Sequence, residues 1–368
     1  MSSVLEHRRM YLRLMRQFTL ENGFFTVTDI QKAAGIPRST AQDWVTRLAR
    51  EGCVLVRNEK SGRSPARYAA LSAMPASTCR RIFTTVDGDR VAIYHECMSG
   101  ACAAFCGYHH GLAGGILSHI ERDGTLLREL ATLGIRGIVI GPSPHSAVGV
   151  CGVEKMDDSI VQHIRCIGGP AYSLSDMMAR ADGVIRVESK SREHLVEGRV
   201  WTSALMQVTV GIDDTDTRDG GATFALALAL LDHMSRIKGV LPISHHVVML
   251  NPGVAEKTAG NSASYLELAV RPDRYESVIE KIRKFVAGES LSPEWGIAIR
   301  HGLVVSEELR EYGKLVREQI ISRPVAEAIA AKSGIVLYGG NGVIGALGAV
   351  ALTNLPHEIL FDPARNDF

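Results

Sequence analysis

The chain is nearly without net charge, +1 over 368 residues. That excludes a molecule that meets a polyanion along its whole surface. The first residues, MSSVLEHRRM, lack the apolar core of a signal peptide. Hydrophobic runs long enough for a bilayer are equally scarce. The longest uncharged stretch, Ser333–His357, contains six glycines and two asparagines, and its GGNG would break a spanning helix at the middle. A cytoplasmic protein without a membrane partner is the expectation. Seven cysteines cannot pair into a closed disulfide frame, and no paired CxxC knuckles occur. Free thiols or metal ligands remain.

What is present suffices for two or three domains, with 46% hydrophobic residues. Charge is unevenly spread. Residues 1–74 hold 12 Lys and Arg against 6 Asp and Glu, whereas the rest hold 29 against 34. The basic part is the part expected to meet nucleic acid, DNA or RNA. Residues 4–20 carry apolar positions at helical spacing. TVTDIQKAAGIPRSTAQDWVTRLAREG then reads as two helices with Thr28 capping the first, Gly35 ending it and Pro37 in the first turn of the second. CVLVRNEKSGRSPARYAAL reads as two short strands. That order resembles a winged helix-turn-helix. By that resemblance Arg38, Ser39, Thr40 and Gln42 begin a recognition helix, and Arg57, Lys60, Arg63 and Arg67 lie on the wing within reach of phosphates. Protein contacts or homodimerisation are the alternative use of such a head.

Residues 79–200 form a central α/β segment. GILSHIERDGTLLREL reads as helical and IRGIVIGP as a buried strand. Cys97, Cys102 and Cys106 fall within ten residues, with His95, His109 and His110 around them. Three thiols so placed suit a zinc ion or an iron–sulfur cluster. The spacing is not a usual zinc knuckle, and buried cysteines also serve as small core residues.

The densest charge lies in VGIDDTDTRDGGATFALALALL, where four aspartates occupy seven residues between a buried strand and a helix beginning near Thr223. Carboxylates so close repel one another, and a cation relieves the repulsion. Extended backbone would aim Asp214 and Asp216 one way and Asp213 the other. Magnesium, which shares its shell with phosphate, suits two or three such groups. The following helix N-terminus offers N–H donors to that phosphate. A calcium loop fails, since position 5 counted from Asp214 is Arg218 and position 12 is Ala225. Helix capping accounts for one or two acids rather than four.

GIDDTDT, LNPGVAEKTAGNSAS and GGNGVIGALGAV, in that order and spacing, resemble archaeal tRNA(Ile) 2-agmatinylcytidine synthetase, TiaS, over about residues 205–356. The resemblance implies its ATP-using kinase domain and adjoining ferredoxin-like domain. It implies that Asp213, Asp214 and Asp216 hold magnesium and ATP phosphates. It also implies that Thr223 matches the phosphorylated threonine, that Lys257 and Asn261 match the KT-GN motif, and that Gly339, Gly340, Gly342 and Gly345 form the glycine loop. Two positions depart: GGAT replaces GMCT at the threonine, and GNGVIGA replaces GRGLIGA. The family's OB-fold and zinc ribbon do not follow before Phe368, so its tRNA substrate is not expected to carry over.

The last segment also fits a dinucleotide fingerprint: a strand, Gly340-x-Gly342-x-x-Gly345, a helix, a second strand and Asp362. Close helix packing is the plain alternative for those glycines. Together the sequence predicts an α+β multidomain chain of archaeal type. Residues 1–74 form the winged helix, 79–200 the cysteine-bearing domain and 205–368 an ATP and magnesium module for phosphoryl transfer or substrate activation. The acceptor, small molecule or RNA, stays open. A transcription regulator whose C-terminal module senses a nucleotide or small ligand is the rival.

Overall fold

The computed structural model describes residues 3–62, 64–73, 77–255, 257 and 260–368. Contacts divide the chain into two compact units. One comprises Met1–Phe83, Tyr94–Glu129 and Gly134–Thr202, the other Thr84–Ile93, Leu130–Leu133 and Ser203–Phe368. The winged helix and most of the central segment therefore share one unit.

The head consists of α1 (Ser3–Asn22), α2 (Val27–Ala34), α3 (Arg38–Arg50), β1 (Val54–Asn58) and β2 (Arg67–Ala70). Thr26, not Thr28, caps α2. Its hydroxyl accepts from Asp29 N at 3.3 Å, and Asp29 Oδ2 accepts from Thr26 N at 2.7 Å. This reciprocal capping box needs an acid three residues after the cap, which Thr26 has. Gly35 ends the helix in the left-handed region at φ 63°. Pro37 is the N-cap residue of α3 rather than part of its first turn. Phe25, Ile30, Val45, Leu48 and Val54 close the core beneath the helices. β1 and β2 pair antiparallel, and Phe25 bridges to Tyr68 as a short third strand.

The central strands and helices of this unit follow. They are β3 (Cys79–Asp87), β4 (Arg90–Cys97), α4 (Gly100–Ala113), β5 (Leu117–Asp123), β6 (Leu126–Thr132), β7 (Gly134–Ile135), β8 (Val148–Met156), β9 (Ser159–Ile167), α5 (Gly168–Asp176) and β10 (Val184–Arg192). The C-terminal ends of β3 and β6 and the start of β4 belong to the other unit. Two expectations are corrected here. GILSHIERDGTLLREL folds as the β5 and β6 pair of strands, not a helix, with Gly124 at φ 56° in the turn. The Asp-Gly pair is a hairpin signal that outweighs the helical spacing of its leucines. IRGIVIGP is no buried strand: of its residues only Ile135 belongs to β7, and Ile135 and Val139 are exposed.

The second unit contains β11 (Leu195–Asp213, from Ser203 onward), α6 (Thr223–Ser235), β12 (Val240–Met249), β13 (Ser262–Val270), α7 (Tyr275–Glu289), β14 (Gly296–His301), α8 (Glu307–Glu318), α9 (Arg323–Lys332), β15 (Val336–Gly339), α10 (Val343–Ala351) and α11 (His357–Leu360). Its strands pair antiparallel in the order β12, β13, β11, β14, β15. Alternation along β11 divides the core. Val208, Val210 and Ile212 pack with α6 and α7, whereas Gly211 lies against Ala346 of α10 on the opposite face. α8, α9 and α10 form that second helical layer through Tyr312, Val316, Ala326 and Leu347. The architecture is α+β, with a winged helix at one end of the sequence.

The dinucleotide alternative fails on topology. β15 pairs antiparallel with β14, and the expected second strand after α10 is the short helix α11. A dinucleotide fold requires that strand to run parallel in the sheet.

Candidate functional site

Strand β11 ends at Asp213, and the chain turns sharply there. Asp214 adopts the left-handed region at φ 55°, which aspartate tolerates better than most residues. The expected extended alternation of the three carboxylates therefore stops at Asp213. Asp213 keeps only part of its surface open, toward the cleft described below. Burial pushes its carboxyl up to about 8, with the charges of Asp214 and Asp216 adding to the rise. Burial also raises Asp214, against a hydrogen bond from Ser292 Oγ to its Oδ1 at 3.2 Å. Glu294 adds a further negative charge near Asp214.

Thr223 opens α6, but Ala222 is the N-cap residue, so its hydroxyl has other work than capping. Thr223 Oγ1 accepts from Thr215 N at 3.3 Å and from Thr215 Oγ1 at 3.1 Å. It donates to Asp216 Oδ1 at 3.2 Å. The hydroxyl is thus oriented on a carboxylate that could take its proton.

The glycines form the other wall, and the reason is space. Cβ atoms at Gly339 and Gly342 would fall 2.0 Å from Trp295 O and 2.5 Å from Gly296 N. At Gly340 a Cβ would stand 2.6 Å from Glu294 Oε2. At Gly345 it would stand 1.7 Å from Asp213 Oδ2. Glycine lets α10 and its loop lie directly on the end of β11. Glu294 Oε2 fixes that loop by accepting from Asn341 N at 2.8 Å.

Asp213, Asp214, Asp216, Thr223, Ser292 and Glu294 line one cleft of about 1110 Å³ together with Lys257, Asn261, Gly342 and Gly345. Lys257 is exposed and its ammonium donates to the Pro252 carbonyl. Asn261 Nδ2 donates to Asn251 O at 2.8 Å. Gly339 and Gly340 support the cleft from behind. Sequence reasoning misses Ser292 and Glu294, which reach the cluster from the loop before β14. No motif flags them, though an acid and a serine in SLSPEWG beside a strand start are an available signal.

Two other clusters lie in the first unit. The sulfurs of Cys97, Cys102 and Cys106 come within 4.8 Å of one another, and among the described residues this is the one group of three such metal-binding atoms. Hydrogen bonds from Cys102 and Cys106 pull the Cys97 thiol well down. His109 points elsewhere, accepting at Nδ1 from Ala147 N at 3.1 Å. His110 Nδ1 and Glu129 Oε1 lie 2.5 Å apart in the interior, beside His95. In the head, Arg38, Ser39 and Gln42 are exposed at the start of α3 and Thr40 is half-buried. On the wing, Arg57 donates to Gly23 O at 2.6 Å, Arg67 stacks 4.3 Å over Phe24, and Lys60 is exposed. Arg63 lies outside the described residues. Among them no helix is long and apolar enough to cross a membrane.

Comparison with known proteins gives two matches along the chain. Residues 209–342 match the TiaS TCKD domain, and residues 9–74 match the sugar-specific transcriptional regulator TrmB. An uncharacterized protein of Methanocaldococcus jannaschii is 30% identical over 169 residues, 46% of this chain and 56% of that one. The tRNA 2-agmatinylcytidine synthetase TiaS of Pyrococcus horikoshii is 31% identical over 164 residues, 42% of this chain. The matches span 56% and 38% of those two relatives' own length. The crystal structure of TiaS in complex with tRNA and ATP aligns at a TM-score of 0.35 and 27% identity, over 40% of this chain and 36% of that one. The chain is therefore similar to TrmB over residues 9–74 and to the TiaS TCKD domain over residues 209–342.

Proposed function

We propose that the C-terminal module binds ATP with magnesium in the 1110 Å³ cleft and transfers a phosphoryl group or activates a substrate. The observation that carries this reading is the desolvated Asp213. Its carboxyl is pushed up by burial and by the charges of Asp214 and Asp216, and it faces the same cleft as both, where a bound cation would let it ionise. The carboxylates of Asp213, Asp214 and Asp216 do not all come within 4.8 Å of one another, so one or two of them would hold magnesium directly, with phosphate and water completing its shell. The ion, when bound, neutralises charge on the phosphates. The rest falls to the chain itself. The N-terminus of α6 supplies N–H donors for an anion. Asp216 receives the Thr223 proton, making that hydroxyl a phosphoryl acceptor. Lys257, which lines the cleft together with Arg218, is a cation available to a triphosphate. The name of the matching relatives, a synthetase acting on tRNA, supports an enzyme that consumes ATP, and their tRNA is not assigned to this chain.

The head supports a second reading, a regulator whose C-terminal module senses a nucleotide. Exposed Arg38, Ser39 and Gln42 on α3, together with the TrmB match, favour nucleic-acid contact by the winged helix. The two readings separate by turnover. The full chain incubated with magnesium and γ-labelled ATP should release ADP or AMP, or carry label on Thr223. Tight binding with neither outcome would leave the sensor.

A further inference from the structure

The cysteines of the first unit gather more closely than the sequence spacing suggests. β3 and β4 form a hairpin whose open end is closed by a hydrogen bond from Met98 N to Thr78 O at 3.0 Å. The adjacent residues Cys79 and Cys97 thereby stand side by side, both buried. The Cys79 thiol is pushed well up, first by hydrogen bonding to Cys97. The chain then turns at once into α4. Ser99 caps that helix, its hydroxyl accepting from Cys102 N at 3.2 Å. Cys102 and Cys106, four apart, share one helical face, and His110 extends the same stripe. His110 is held by buried Glu129, so the stripe has a fixed direction.

The spacing selects the ligand. One ion bound tetrahedrally by sulfurs at ~2.3 Å sets them ~3.8 Å apart. The sulfurs of Cys97, Cys102 and Cys106, all within 4.8 Å of one another, are compatible with that figure; Cys79 stands beside Cys97 but outside that group of three, and would complete the set by a shift of its side chain. An iron–sulfur cluster distributes its thiolates over several irons and needs a wider ring. Four thiolates around one ion are a soft tetrahedral set that suits zinc, and elemental analysis tells it from a single iron. A disulfide would engage two of the four and leave the other convergence without purpose.

We propose that Cys79, Cys97, Cys102 and Cys106 form a closed four-thiolate site for a single zinc ion, fastening α4 to the open end of the β3–β4 hairpin. The thiols give up their protons as the ion binds, so affinity rises with pH. With four protein ligands the site has no open position and acts on structure rather than chemistry.

The test uses the full chain purified under reducing conditions. Elemental analysis should find one zinc per chain. Cobalt(II) alone, added to metal-stripped protein, should give the intense visible and near-ultraviolet bands of a tetrahedral thiolate complex. Alkylation followed by mass spectrometry should find Cys102 and Cys106, the two half-exposed thiols of the four, protected only when metal is bound. Cys79→Ser should lower zinc affinity at least about tenfold, while Cys151→Ser leaves it unchanged. No zinc with no cobalt–thiolate bands, iron in place of zinc with or without labile sulfide, a disulfide among the four, or wild-type affinity in Cys79→Ser would each overturn the proposal.

Discussion

Gly345 of α10 rests on Asp213 at the end of β11, so closely that a methyl group built there would fall 1.7 Å from the carboxylate oxygen Oδ2. Gly345→Ala should therefore turn Asp213 away from the cleft. Magnesium-dependent ATP affinity should fall at least about tenfold, a loss of ~1.4 kcal/mol. Gly313→Ala meets Ala351 and Leu352 at 3.1 and 3.2 Å, neither of which lines the cleft. It should cost stability while leaving ATP affinity near that of the wild type. Calorimetric titration of both variants separates the two effects.

Asp213 also gives the module a pH dependence. Its folded carboxyl titrates at about 8, above the ordinary value of 3.8. Between those values the folded state binds the extra proton, so without a cation stability falls as pH rises from about 4 to about 8. Asp213→Asn removes this. In metal-free buffer it should raise the midpoint of thermal unfolding at pH 8 relative to the wild type, by at least ~2–4 °C if 1 kcal/mol is recovered. At pH 4 the two proteins should melt together. A variant that melts lower at pH 8 would show Asp213 to be ionised and already paired.

Thr223 divides structure from chemistry. Thr223→Val removes the acceptor for Thr215 N, a buried donor, and should cost ~1–3 kcal/mol. It should also abolish any label from γ-labelled ATP. Thr223→Ser keeps the hydroxyl and should retain both label and most stability. Label retained in Thr223→Val would move the acceptor elsewhere.

Much of this is legible in the sequence, and the gaps have physical causes. The aspartate run, the glycine loop and the winged-helix order are local patterns, and the sequence displays them. Ser292 and Glu294 are brought to Asp214 by the pairing of β11 with β14, a relation some eighty residues long that no local pattern carries. Cys79 is missed for the same reason, lying eighteen residues before its partner and joined to it by a hairpin. The β5–β6 pair reads as a helix because leucines spaced for a helix overlap an Asp-Gly turn, and tertiary pairing decides between them. Thr28 looks as good a cap as Thr26 until the acid at position 29 is counted as half of a capping box.

The head should bind duplex DNA with strong salt dependence, because its exposed basic residues would displace counterions. In the full chain, Lys60→Ala should weaken binding alike across sequences and lower the salt slope by about one. Gln42→Ala should instead change sequence preference. Fluorescence anisotropy over a salt series measures both. Equal binding at low and high salt would make the winged helix a protein-contact module.

The ATP site stands or falls with the acidic turn, and the most direct measurement is calorimetric titration of the full chain with ATP, with and without magnesium, beside Asp214→Ala. The wild type should show one site per chain, dependent on magnesium, and a folded Asp214→Ala should show no measurable magnesium-dependent binding. Unchanged affinity in that variant, or wild-type binding indifferent to magnesium, would contradict the assignment.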